Sequence, residues 1–178
     1  MPRPATAPPA ILRVIAVDPS LRCTGYAILD KLGGKMRAVE YGVIKNAPKL
    51  LPSACLVAIH TRLAELIQKH EPHCAAVEGI IFVQSHRIAI TMGAARGAAI
   101  LAMATRGLPV YEYAPRRVKQ AAVGTGTAAK TQVAFMVRAR LGLTETPSPD
   151  AADALAIGLA HFQAHETASH GAAVLQQV

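Results

Sequence analysis

Cysteine is scarce in this chain of 178 residues, which contains only Cys23, Cys55 and Cys74. The three cysteines lie in or next to three different predicted elements, and their spacing does not match a metal-binding motif. An odd number at irregular spacing argues against a disulfide framework. We therefore expect the protein to work in a reducing cytoplasm.

Long apolar segments of the kind that cross membranes are also lacking. Residues 1–10 are rich in proline and alanine and do not resemble a signal peptide, so we expect them to form a flexible arm. The longest apolar run, residues 88–105, has Arg96 near its middle and contains several small residues. This composition favours a buried helix over a membrane span, and we expect no membrane association.

Acidic residues are few in comparison with basic ones. The chain has 11 Asp and Glu against 19 Lys and Arg, which gives a formal net charge of +8. Such an excess favours a polyanionic partner, because the binding of phosphates releases their counterions. Charge alone does not distinguish DNA from RNA or from an anionic lipid surface.

The hydrophobic content of 52% is enough for one globular domain, which we place at residues 11–165. Apolar periodicity and turn residues predict three strands, a helix, a strand, a helix, a strand and a group of helices. This order indicates an α/β fold with a five-stranded mixed sheet flanked by helices on both faces. The predicted strands are 12–18, 24–29, 37–44, 74–81 and 108–113, and the predicted helices begin at 52 and 115 or cover 88–106, 128–141 and 149–165.

Three finer predictions concern the helices and the end of the chain. Ser53 is expected to cap the first helix. His161 and His165 share one helical face and are expected to form a polar edge of the last helix. Residues 166–178 are expected to be a disordered tail.

Two acidic residues stand at the ends of apolar strands. Asp18 follows the apolar run 12–17, and Glu78 follows the run 74–77. An acid at the end of a buried strand is unfavourable unless a positive group compensates its charge, and a divalent cation is one such group. Taken alone, Asp18 could equally cap the turn that follows it.

Two further acids, Asp150 and Asp153, lie one helical turn apart at the start of the last predicted helix. Ser148 is expected to cap that helix, with Pro149 in its first position. Acids are also favourable at the positive end of a helix for purely structural reasons, which would explain Asp150 better than Asp153. The alanines around them would let the helix approach the sheet closely.

Together the four acids predict a metal site. Four carboxylates at one point repel one another, so such a cluster makes sense chiefly with hard cations bound. An all-oxygen site suits Mg²⁺ or Mn²⁺, and a pair of such ions is the usual equipment for phosphodiester hydrolysis. The acids concerned are Asp18, Glu78, Asp150 and Asp153.

Six segments spread over nearly the whole chain carry a more specific signal, and a glycine-containing stretch at 124–130 lies between the last two. The segments are VDPSLRCTGY (17–26), AVE (76–78), GAARG (93–97), YAP (113–115), VK (118–119) and PDAADAL (149–155). In this order they resemble the RuvC family of bacterial crossover junction endodeoxyribonucleases.

The resemblance implies a ribonuclease H-like fold and a homodimer that nicks two strands symmetrically across a four-way (Holliday) DNA junction, in recombination and repair. It implies two Mg²⁺ ions per active site, with Mn²⁺ able to substitute, and suggests a branch-migration motor as a partner. The helix that contains 93–97 matches the family's dimer element. The resemblance assigns the four acids as catalytic metal ligands, with Asp18 bridging both ions, and Lys119 and Lys130 as contacts to the DNA backbone.

The chain departs from the family after Glu78, where Gly79 replaces a common glutamine and Ile81 replaces an aromatic residue, with Phe82 one place late. These departures leave open a junction-binding architectural protein without nuclease activity. A nuclease acting on RNA in RNA–DNA hybrids is a second alternative, because the fold and metals would be the same. An actin-like or sugar-kinase-like protein is disfavoured, because it would need a second phosphate loop and a longer chain.

Overall fold

The computed structural model describes residues 11–80, 85–169, 171 and 175–178. In this part of the chain, five strands and five helices follow one another in the predicted order. Their bounds are β1 Leu12–Asp18, β2 Cys23–Leu32, β3 Lys35–Lys45, α1 Pro52–His70, β4 Cys74–Glu78, α2 His86–Ala104, β5 Val110–Tyr113, α3 Pro115–Val123, α4 Lys130–Leu141 and α5 Pro149–Ser169.

β1 is the middle strand of the sheet, whose order is β3-β2-β1-β4-β5. β2 pairs antiparallel with both β1 and β3, whereas β4 pairs parallel with both β1 and β5. Residues 14–17 of β1 are fully buried, as expected for a central strand that is covered on both faces. The prediction of a five-stranded mixed sheet flanked by helices is confirmed.

The alternation of side chains along β1 divides the interior into two cores, because successive residues of a strand point to opposite faces. Val14 and Ala16 belong to a core built on α3, α4 and α5. Ile15 and Val17 belong to a second core built on α1 and α2. We call these two sides the α5 face and the α1/α2 face of the sheet.

α5 approaches the sheet very closely at two glycines. A Cβ atom added to Gly25 of β2 would overlap the main-chain oxygen of Asp150, and one added to Gly158 of α5 would overlap the side chain of Leu29. Both positions therefore require the absence of a side chain. The close approach places the beginning of α5 directly over β2.

Several helix and strand ends differ from the prediction. The N-cap of α1 is Leu51, and Ser53 lies inside the helix without capping it. Pro52 determines this start, because proline fits the first helical turn, where its missing N–H is not needed. β4 ends at Glu78, and α5 continues to Ser169.

The end of the chain differs from the expected disordered tail. Residues 166–169 continue α5. Farther on, Glu112 N–H donates to the Gln176 carbonyl at 3.1 Å, and Val178 N–H donates to the Val110 carbonyl at 3.0 Å. The last residues thus pair with the edge of β5, which would otherwise present unpaired backbone groups. The predicted N-terminal arm, residues 1–10, and Ile81 lie outside the described residues.

α2 is less buried than its apolar sequence predicts. In the described part of the chain it is the helix whose length and composition would allow it to cross a membrane, but a single such helix is weak evidence for a span. One side of α2 packs on α1 through residues such as Ala95 and Ala99, which are fully buried. On its other side, Ile90 is 73% exposed and Leu101 is 55% exposed. The prediction of a buried helix is therefore right for one side of α2 and wrong for the other.

Candidate active site

Asp18 and Glu78 lie beside each other at one end of the sheet. β1 and β4 run parallel, and their last paired residues, Val17 and Val77, immediately precede the two acids. Two residues before each acid there is an alanine, Ala16 or Ala76, that packs on the α5 face. Because side chains alternate along a strand, both acids lie on the α5 face as well. Both are half-buried.

The first turn of α5 stands above this end of the sheet. Asp18 pairs with Gly25 across β1 and β2, and the main-chain oxygen of Asp150 lies against Gly25. Ala152 N–H donates to the Ser148 carbonyl at 2.8 Å, so the helix begins where the sequence predicts. The acids of the helix and the acids of the strands are thus brought to the same place.

Burial and the neighbouring acids raise the pKa values of Asp18 and Glu78. Burial, followed by the charges of Asp153 and Asp150, raises the pKa of Asp18 to about 6, against an opposing effect of Lys130. Burial, followed by the charges of Asp18 and Asp153, raises the pKa of Glu78 to about 7. Shifts in this direction are typical of carboxylates that share a site without enough positive charge.

Two lysines supply part of the missing charge. Lys130 Nζ donates to Asp153 Oδ2 at 3.1 Å, and this bond is the main reason why the pKa of Lys130 is raised. The charge of Lys119 acts to lower the pKa of Glu78. Both residues that the sequence predicts as DNA contacts therefore lie within electrostatic reach of the acids.

The donor set fits a hard divalent cation, although its side chains are not closed around one. Among the described residues, no three acidic, histidine or cysteine side chains form a group arranged to hold an ion. Carboxylate oxygens are the ligands that Mg²⁺ and Mn²⁺ prefer. The raised pKa values of Asp18 and Glu78 indicate that more positive charge would stabilise the site than Lys130 provides.

An ion pair next to Gly79, at the end of β4, was not predicted from the sequence. Glu112 of β5 pairs with Arg96 of α2. A Cβ atom at Gly79 would lie 3.0 Å from the Glu112 carboxylate. Gly79 therefore leaves room for the ion pair, which gives this departure from the family pattern a local structural reason. The signal in the sequence was the unexpected glycine after Glu78.

The prediction for His161 was wrong. This residue of α5 is fully buried on the side of the helix that faces the sheet, whereas His165 is exposed as expected. α5 is apolar on nearly all sides, so the helical period did not reveal which side meets the sheet.

Comparison with known proteins identifies the family. A family model described as crossover junction endodeoxyribonuclease RuvC matches residues 14–161, a range that contains the four acids and both lysines. The chain belongs to the RuvC family.

Individual RuvC proteins are similar to this chain over most of their length. The RuvC proteins of Akkermansia muciniphila and Pelotomaculum thermopropionicum are 51% and 46% identical over 160 and 149 residues. These matches cover 89% and 83% of this chain and 96% and 91% of the relatives. The structure of T. thermophilus RuvC in complex with a Holliday junction substrate is similar with a TM-score of 0.84 at 36% identity, covering 94% of this chain and 99% of that chain.

A more distant structure shares the fold alone. The yeast mitochondrial Holliday junction resolvase is 11% identical, with a TM-score of 0.66 over 94% of this chain and 86% of that chain. The predicted ribonuclease H-like fold and the predicted membership in the RuvC family of crossover junction endonucleases are confirmed. The RuvC family consists of nucleases that need a divalent metal.

Proposed function

We propose that this chain resolves four-way DNA junctions by two symmetric nicks, with two Mg²⁺ ions in each active site for phosphodiester hydrolysis. The observation that carries the proposal is the convergence of two strand-end acids and two helix acids on one end of the α5 face, beside two lysines. Mn²⁺ should be able to replace Mg²⁺, because both ions bind carboxylate oxygens.

The acids would hold the ions from two directions. Asp18 stands between Glu78 on the neighbouring strand and the first turn of α5 above. This central position suits Asp18 to be the ligand that both ions share. Glu78 would complete one side of the site, and Asp150 and Asp153 the other. When bound, the ions would activate the attacking water and stabilise the leaving oxygen of an in-line displacement.

The lysines would bind the DNA backbone. Lys130 is 74% exposed, so its side chain can turn from Asp153 toward a phosphate. A bound cation would make this turn favourable, because it would take over the role of Lys130 in neutralising Asp153. Lys119 would add a second phosphate contact on the Glu78 side of the site.

A second copy of the chain would cover the outer surface of α1 and α2. An apolar groove of about 410 Å³ runs between α1 and α2. A homodimer formed here would bury the exposed apolar side of α2 and give the assembly two active sites, as two symmetric nicks require. The residues that line the groove are Leu56, Val57, His60, Ala94, Gly97, Ala98 and Leu101.

We also propose that the protein works in the cytoplasm together with a branch-migration motor. The described cysteines are free, which fits a reducing cytoplasm. Such a motor would move the branch point of the junction to new sequences, where this protein would cut it during recombination and repair.

The test is cleavage of a synthetic four-way junction with a mobile centre and end-labelled strands, in the presence of Mg²⁺. We expect nicks in two strands of like polarity at symmetric positions. Asp18→Asn should reduce cleavage more than about 10³-fold, because it removes the central ligand, and should leave junction binding intact. Glu145→Gln is the matched control, because Glu145 is an exposed acid outside the site.

Two outcomes would contradict the proposal. Tight junction binding without nicks in either Mg²⁺ or Mn²⁺ would favour an architectural protein. Preferred cleavage of an RNA–DNA hybrid over the junction would favour a hybrid-specific nuclease.

A further inference from the structure

A buried polar network lies beneath α5, on the same face of the sheet as the four acids. His161 is fully buried. Its Nε2 atom lies 3.2 Å from Cys74 Sγ, and its Nδ1 atom lies 2.8 Å from the Tyr113 hydroxyl. The ring of Tyr111 packs against the imidazole, with the ring centroids 5.2 Å apart. The His161 side chain of α5 is thus hydrogen-bonded to a residue of β4 and to a residue of β5.

The network is complete with a neutral imidazole. One ring nitrogen then donates and the other accepts, and both the Tyr113 hydroxyl and the Cys74 thiol can take either role. Burial, followed by the charges of His165 and Lys31, lowers the pKa of His161 to about 4. The ring is therefore neutral near pH 7, and both of its nitrogens have a partner.

The partners of His161 are tied to the strand residues that form the site. Cys74 begins β4, the strand that Glu78 ends. Tyr113 is the residue that pairs with Glu78 across β4 and β5. On the helix, His161 follows Asp153 by eight residues, a rise of about 12 Å. The network therefore links the strand that carries one acid to the helix that carries two.

Over most of its length α5 meets the sheet through apolar side chains, among them Leu155, Leu159 and Phe162. It also approaches β2 closely at two glycines, and Glu166 near its end pairs with Lys31 of β2. Apolar contacts have little directional preference and would tolerate a small shift of the helix along its axis. Hydrogen bonds require a narrow range of distance and angle. The two hydrogen bonds of His161 are directional contacts to β4 and β5, on the side of α5 away from its close approach to β2, and they help to determine where α5 sits.

We propose that His161 is a positioning residue, which fixes α5 on β4 and β5 and thereby holds the two helix acids opposite the two strand acids. Its consequence for cleavage rests on the proposed metal-dependent function. The fixing of the helix does not depend on that function.

The test separates position from stability. His161→Leu alone leaves the Tyr113 hydroxyl buried without a partner and should lower the unfolding temperature. His161→Leu combined with Tyr113→Phe removes the imidazole and the hydroxyl, leaves only the weakly polar Cys74 thiol, and should restore most of that temperature. If His161 positions the helix, junction cleavage by the double variant should still show a kcat at least about tenfold lower, because small displacements of catalytic groups have large effects on rate. KM should remain unchanged.

Two controls and a second readout sharpen the result. Leu159→Val should destabilise α5 through a small cavity and leave kcat unchanged, because it spares the network. His161→Gln keeps a donor and an acceptor and should recover part of the lost kcat. Mn²⁺ binding, measured by calorimetry on the protein without DNA, should be about tenfold weaker in the double variant than in the unaltered chain.

The outcomes distinguish this inference from the proposed function. If the double variant regains stability together with full kcat and Mn²⁺ affinity, the network has a structural role alone and the inference fails. If the unaltered chain neither binds Mn²⁺ nor cleaves a junction, the proposed function fails. In that case a crystal structure of the double variant still decides the role of His161: a displaced α5 supports the inference, and an unmoved α5 overturns it.

Discussion

The two faces of the central sheet carry different kinds of chemistry. The α5 face holds the half-buried acids, a buried histidine network and a helix that approaches β2 closely at two glycines. The α1/α2 face has an apolar core and leaves apolar residues of α2 exposed. Because the side chains of β1 alternate between the two faces, the proposed active site lies on one face and the proposed dimer interface lies on the helices that cover the other. Changes on one face should therefore affect cleavage at each site, and changes on the other should affect the pairing of sites.

Among changes that leave all four acids in place, the largest effect is expected from Gly25→Ala on the α5 face. The new methyl group would overlap the main-chain oxygen of Asp150 and push the start of α5 away from Asp18. We expect cleavage to fall by about 10²-fold and stability to fall by about 1–3 kcal/mol. Single-turnover cleavage and chemical unfolding measure the two effects. Gly34→Ala is the matched control, because nothing lies near a Cβ atom at Gly34; equal losses in both variants would contradict the account.

Leu101→Glu, in the groove between α1 and α2, should have a smaller effect on cleavage at each site and a large effect on dimerisation. The charge would enter the apolar groove and weaken dimerisation at least about tenfold. Light scattering should show a shift toward monomer, and nicks in the two strands should lose their coupling, while Mn²⁺ affinity stays the same. Leu32→Glu, an exposed leucine at the β2–β3 hairpin, is the control. A fully dimeric Leu101→Glu protein would exclude this groove as the interface.

Lys119→Gln should have a modest effect that separates DNA binding from chemistry. If Lys119 contacts one phosphate, the slope of log affinity against log salt should become shallower by about 1. Lys35→Gln, at the hairpin on the opposite end of the sheet, should leave the slope unchanged. Junction binding titrated at several salt concentrations provides the measurement. If Lys119→Gln and the unaltered chain have the same slope, Lys119 does not contact a DNA phosphate.

The smallest effect concerns pH. The pKa values of Asp18 and Glu78 are raised to about 6 and about 7, so these two carboxyl groups hold more protons in the folded protein than in the unfolded chain between about pH 4 and pH 7. In the absence of metal, this contribution makes stability fall as pH rises through that window. Glu78→Gln should therefore be more stable than the unaltered chain at pH 8, and the gap should close toward pH 4.5.

Thermal unfolding in a chelating buffer measures that gap, and saturating Mg²⁺ should reverse its sign at pH 8. A gap that does not change with pH would mean that Glu78 is not buried among like charges.

The sequence predicted the strands, the sheet and the meeting of acids because each follows from local patterns. Asp18 and Glu78 end apolar strands, and Asp150 begins a helix next to alanines that allow close packing. The pairing of Arg96 with Glu112 could not be predicted, because it joins a helix to a strand through tertiary contact alone. The burial of His161 was missed for a similar reason, since an almost wholly apolar helix does not indicate its inner side. The pairing of the last residues with β5 depends on a sheet edge that exists only in the folded protein.

The most direct test of the central claim is anomalous diffraction from crystals of this protein soaked in Mn²⁺. The account predicts anomalous peaks at the end of the sheet, within coordination distance of Asp18 and shared with Glu78 on one side and with Asp150 or Asp153 on the other. Peaks that lie elsewhere, or an unchanged peak in Asp18→Asn crystals, would show that these acids are not the metal site and would contradict the account.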